Sequence, residues 1–108
     1  LRGIKGWVAV DDQYTAPLNG FADAHDYYAQ CSSGPYLDAI RIQTLLVNAR
    51  NDPFLPETCY PVETCRSHEC VSLEMPDSGG HLGFALGCGA YWAESRAVQF
   101  FSELRFLN

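Results

Sequence analysis

Apolar residues along the chain fall into short clusters set apart by proline- and glycine-containing breaks. GWVAV at 6–10 is rich in β-formers until DDQYTAPLNG interrupts it, which predicts a strand, or a strand remnant, running into a loop. FADAHDYYAQCS at 21–32 places Phe21, Ala24, Tyr28 and Cys31 on one face at helical spacing, with Asn19 near its start as a cap. An amphipathic helix is expected there. SGPYLDA stops it, and IRIQTLLVNA at 40–49 follows as a β-rich run whose second half is apolar on both faces. Such a strand, buried on both sides, belongs in a parallel sheet covered by helices.

The polar segment 57–69 predicts a short helix after Pro61, and CVSLEM at 70–75 a second strand that Pro76 ends. Beyond the tight PDSGGH and the glycine-rich GFALGCG, residues 91–107 give the clearest helical pattern. Trp92, Ala93, Arg96, Ala97, Val98, Phe100, Phe101 and Leu104 predict a broad apolar face on it. The order strand, helix, strand, crossover, strand, helix is the alternation of an α/β protein with a parallel sheet. Two or three strands make a poor sheet alone, so further strands are expected upstream.

Composition narrows the partners. The 108 residues are 47% apolar and 19% charged, an ordinary globular balance, and 13 acidic against 7 basic side chains leave a net charge of -6. That charge repels phosphate backbones, so nucleic acid is not an expected partner. No apolar run approaches the roughly 20 residues that span a bilayer, and LRGIKGWVAV lacks the order of a signal peptide. A cytoplasmic location is expected, and the start at Leu1 suggests a longer protein. Five cysteines, Cys31, Cys59, Cys65, Cys70 and Cys88, are an odd number and cannot all pair within the chain. Cys59, Cys65, His68 and Cys70 have the atoms of a zinc site but lack its paired C-x-x-C knuckles, so no metal and no cofactor is expected.

The candidate chemistry lies where the two later strands end. In open α/β sheets reactive groups collect beyond the carboxyl ends of the strands, and here Asp52 follows the first of the two and His81 the second. A carboxylate that accepts a hydrogen bond from one ring nitrogen leaves the other to act as a base. Taken alone, Asn51-Asp52-Pro53 is ordinary turn chemistry, and His81 after Gly79 and Gly80 fits a loop histidine with no task as well as a functional one. Together they have the acid-then-histidine order of an α/β-hydrolase. The nucleophile is missing: the sequence contains no G-x-S-x-G, and Ser78 sits in a turn. His25 and His68 read as solvated residues.

DYY at 26–28, the strand Thr44 to Val47 leading into NDPF at 51–54, and GGHLGF at 79–84 carry a resemblance. The chain resembles the C-terminal part of the YheT-like α/β-hydrolases, which include eukaryotic ABHD1/ABHD3-type esterases and lipases and the yeast medium-chain acyl-CoA:ethanol acyltransferases. The likeness runs from about residue 10 to about residue 100. It implies an incomplete α/β-hydrolase domain, with a lid or helical segment at about 11–39 and the last strands, acid loop, histidine loop and C-terminal helix at 40–108. It also implies a serine-type carboxylic ester hydrolase or acyltransferase acting on a small acyl ester. Asp52 would be the triad acid and His81 the triad histidine, while Phe21, Tyr27, Tyr28 and Phe84 would line the substrate pocket. Gln43 and Trp7 to Val10 depart from the family pattern, and the strands bearing the nucleophile and oxyanion hole are absent from the sequence. The alternative is a non-catalytic chain, truncated or accessory to another hydrolase.

Overall fold

The computed structural model describes residues 4–87 and 89–105; Cys88 and positions 106–107 of the expected last helix lie outside the described residues. The chain forms two compact units, residues 1–35 and 36–108.

In the first unit the strand expected at 6–10 is a helix. Trp7–Val10 forms α1, a widened π-type turn covers Asp11–Thr15, and Ala16–Leu18 forms α2. A proline inside a helix has no N–H to give and crowds the carbonyl four residues back. The wide turn, in which the Ala16 N–H reaches the Asp11 carbonyl, carries the helix past Pro17. The acids that looked like strand breakers stitch the unit together: the Thr15 hydroxyl donates to Asp11 at 2.7 Å, and the Ala24 N–H donates to Asp12 at 3.1 Å. Five residues were too few to separate the two periods, and these side-chain and backbone links favour the helix.

The next helix, α3, spans Ala24–Cys31 and starts later than its apolar spacing suggests. Its cap is Asp23, whose carboxylate accepts the Asp26 N–H at 2.8 Å. Asn19 closes the preceding helix instead, donating to the Thr15 carbonyl at 2.8 Å. Ala16 and Ala24 are fully buried, so small side chains let these helices approach closely.

A 3-10 turn at Gly34–Ala39 leads into the second unit. There β1 (Thr44–Val47) and β2 (Val71–Glu74) pair in parallel, with Thr44 opposite Val71 and Val47 opposite Glu74. The crossover between them carries α4, Val62–Ser67, after Pro61 as expected. Residues 44–47 are half-buried rather than enclosed, because two strands and their covering helices shield only part of each face. This is a partial α/β fold.

The last helix, α5 (Trp92–Arg105), sits by Glu74 at the end of β2. Arg96 donates through Nε to Glu74 Oε1 at 2.8 Å, and its Nη2 lies 2.7 Å from the same oxygen. The partly buried positions on α5 are Trp92, Ala93, Arg96, Phe100 and Leu104, essentially one i, i+4 row, while Ala97, Val98 and Phe101 are exposed. The broad apolar face is therefore narrower than the sequence suggests, since a helix turns about 100° per residue and moves those three off the row. No helix among the described residues is long and apolar enough to cross a membrane.

Candidate active site

Beyond the sheet the two chain segments continue side by side. The Asn48 N–H donates to the Glu74 carbonyl at 3.1 Å and the Arg50 N–H to the Pro76 carbonyl at 2.8 Å. This parallel run brings the loop after β1 against the loop after β2, and so residue 52 against residue 81.

Asp52 is held from both sides. Its N–H donates to the Ala49 carbonyl at 3.2 Å, while the Tyr60 hydroxyl donates to that same carbonyl at 3.0 Å and pins the base of the loop. Carboxylate Oδ1 accepts the Phe54 N–H at 2.8 Å, the local Asx turn that an Asp-Pro sequence favours. Oδ2 lies 2.8 Å from His81 Nδ1. Asp52 is thus both the turn residue and the partner of the histidine, one oxygen for each.

Exposure separates the two side chains: 2% for Asp52 and 45% for His81. Burial pushes the Asp52 carboxyl up, but the N–H groups of Phe54 and Leu55 together with His81 outweigh it and hold the group below the ordinary carboxylate range. An ionised carboxylate only accepts, so Nδ1 carries a proton, and in the neutral ring Nε2 is then the acceptor. Phe54 meets the imidazole edge-on, ring centroids 5.0 Å apart, and narrows the directions in which it can turn.

The histidine loop is braced from within. The Phe84 N–H donates to the Gly79 carbonyl at 2.9 Å, and the Phe84 carbonyl accepts the Trp92 N–H at 2.9 Å. Phe84 has φ 44°, a left-handed conformation uncommon outside glycine. Its ring is buried, close over Gly79 and 5.8 Å from the Trp92 ring. One further contact was not evident from the sequence: Asn51 Oδ1 accepts the N–H groups of both Gly79 and Gly80 at 2.9 Å. Its place beside Asp52 was the available signal, and a side chain that takes two backbone donors 28 and 29 positions away leaves no local pattern.

The structure therefore brings together Asp52 and His81 in the second unit, where Phe84 packs over Gly79 and beside Trp92. Phe21, Tyr27 and Tyr28 lie in the first, where the Phe21 and Tyr27 rings are 5.2 Å apart and those of Tyr27 and Tyr28 5.5 Å. A hollow of about 380 Å³ there is lined by Asp11, Tyr27, Tyr28, Cys31 and Ser32. The Tyr28 hydroxyl donates to Asp11, and this hydrogen bond pushes its pKa up to about 12. His68 makes a local turn, its Nδ1 accepting the N–H groups of Cys70 and Val71 at 3.0 and 3.1 Å. Among the described residues no group of three or more His, Cys, Asp or Glu could hold a metal ion.

Known proteins with similar sequences settle the kinship. YheT of Escherichia coli is 36% identical over 99 residues, 89% of this chain. The chain belongs to the YheT-like α/β-hydrolases. Medium-chain fatty acid ethyl ester synthase/esterase 2 of Saccharomyces cerevisiae is 34% identical over 94% of the chain, and human phospholipase ABHD3 is 34% identical over 71%. The names of these YheT-like relatives are those of ester-cleaving or ester-forming enzymes. The chain spans 29% of YheT, 22% of the yeast protein and 19% of ABHD3. No family model matches the chain, and no solved structure matches it.

Proposed function

We propose that this chain supplies the acid and the histidine of a serine-type catalytic triad, as the C-terminal part of an α/β-hydrolase that cleaves or transfers small acyl esters. The observation that carries the reading is the 2.8 Å contact between a buried, ionised Asp52 and a half-exposed His81 whose Nε2 has no hydrogen-bond partner among the described residues.

In this mechanism Nε2 of His81 takes the proton of a serine hydroxyl as its oxygen attacks the ester carbonyl. Asp52 stabilises the imidazolium that forms and holds the ring in the tautomer that keeps Nε2 free. When the tetrahedral intermediate collapses, the C–O bond to the alcohol breaks and the imidazolium gives its proton to the departing oxygen. Water then attacks the acyl-serine with His81 again as base, releasing the acid; an alcohol in the place of water gives a new ester. The serine and the oxyanion hole come from residues outside this sequence, which has no G-x-S-x-G.

Turnover of a medium-chain nitrophenyl ester by the complete polypeptide tests the reading. His81→Ala lowers kcat by several orders of magnitude, whereas His25→Ala and His68→Ala leave it unchanged. Parent-like turnover in His81→Ala rules the reading out. The missing nucleophile elbow supports one other reading, a non-catalytic chain that completes or regulates another hydrolase. In that case no variant of this chain alters turnover unless the second chain is present.

A further inference from the structure

We propose that Asn51 is a positioning residue for His81, an inference that rests on the triad reading above. Asn51 Oδ1 accepts the N–H groups of Gly79 and Gly80, each at 2.9 Å, and the very next residue, Asp52, meets the very next side chain, His81, at 2.8 Å. Two consecutive acceptors on the acid loop thereby fix three consecutive positions on the histidine loop.

The local geometry suits the task. Gly80 has φ 60°, and successive N–H groups around a left-handed residue form a concave site for a single oxygen. That turn aims both donors at Asn51. The remaining ties of the histidine loop, the Phe84 N–H to Gly79 and the Phe84 carbonyl to Trp92, hold the loop to itself and to α5. Ahead of the glycines the Arg50 N–H meets the Pro76 carbonyl at 2.8 Å and Arg50 Nε lies 3.4 Å from Asp77, but at the glycine pair itself the tie to the acid side is Asn51. Without the Asn51 acceptor, the backbone before His81 is free to drift and the imidazole leaves the line from Asp52.

The residue type has a reason as well. An amide oxygen fills the concave site with no charge. A carboxylate there would keep the acceptor but set a second anion beside Asp52. Asn51→Asp therefore keeps the position and changes the charge, while Asn51→Ala removes the position.

The test uses the complete polypeptide and a medium-chain nitrophenyl ester, with kcat and KM measured for Asn51→Ala, Asn51→Asp and His81→Ala. Asn51→Ala lowers kcat about 100-fold, the cost of a displacement of about 1 Å, with KM unchanged. Asn51→Asp, which keeps an acceptor at the same place, recovers most of the lost kcat. Parent-like kcat in Asn51→Ala, with His81→Ala inactive, overturns the inference and leaves the triad reading standing. Parent-like turnover in His81→Ala overturns the triad reading itself. If Asn51→Ala fails to fold, Asn51→Ser, whose hydroxyl is too short to reach both N–H groups, decides: a loss of kcat at unchanged KM supports the positioning role, and parent-like kcat overturns it.

Discussion

Gly79 is the position where one added carbon does most damage. A Cβ built there lies 2.5 and 2.6 Å from two atoms of the Phe84 ring and 3.0 Å from Cβ of Ala49. Carbon atoms in contact sit about 3.5–4.0 Å apart, so the ring must retreat by about 1 Å. It has nowhere easy to go. Phe84 is buried, its backbone is held at both N–H and carbonyl, and the Trp92 ring lies beyond it. Overpacking of this kind costs about 1–3 kcal/mol. In the complete polypeptide, for a domain of roughly 150–250 residues, each kcal/mol moves the melting temperature by about 2–4 °C, so Gly79→Ala should lower it by at least about 2 °C.

Thermal unfolding followed by circular dichroism, run on a double-mutant cycle with Phe84→Leu, checks the reasoning. The smaller leucine makes room, so the cost of Gly79→Ala shrinks in the Phe84→Leu background. Gly80→Ala serves as the contrast. It meets no atom within 4 Å, and its cost comes only from φ 60°, independent of Phe84. An unchanged melting temperature in Gly79→Ala, or a cost that Phe84→Leu does not reduce, would refute the claim that the ring is wedged on the glycine.

Two pH dependences follow from the hydrogen bonds. Asp52 has its folded pKa lowered below the ordinary value of 3.8, so its stabilising contribution is complete above about pH 4 and is lost as pH falls through the lower folded value. Acid unfolding of Asp52→Asn should accordingly show a weaker dependence on pH in that window than the parent. Tyr28 titrates in the opposite sense: with a folded pKa of about 12 against an ordinary 10.0, its contribution is complete below pH 10 and lost as pH rises towards 12. Ultraviolet titration of the phenol groups should show one late-ionising tyrosine, and Asp11→Asn should bring it back to the ordinary range.

What the sequence disclosed depended on how far each signal reached. The strands and the crossover helix were legible because apolar runs, Pro61 and Pro76 mark them locally. The approach of Asp52 to His81 was legible because parallel strands in register must leave their following loops side by side. Residues 6–10 misled because a short apolar stretch fits either period, and the deciding contacts, Thr15 to Asp11 and Ala24 to Asp12, lie further along the chain. The left-handed Phe84 was not legible either, since nothing about a phenylalanine announces a positive φ; its conformation is imposed by its ties to Gly79 and Trp92. The kinship rested on DYY, NDPF and GGHLGF, and two of those three motifs are the acid and histidine loops themselves.

If Asp52 and His81 activate a serine, covalent labelling of that serine reports it. The complete polypeptide is treated with an alkyl phosphonate ester that reacts only with activated serine hydroxyls, and the intact mass is followed with time. A single adduct is expected on a serine outside the 108 residues, formed rapidly in the parent, at least about 100-fold more slowly in Asp52→Asn, and not at all in His81→Ala. Labelling of His81→Ala at the parent rate would contradict it.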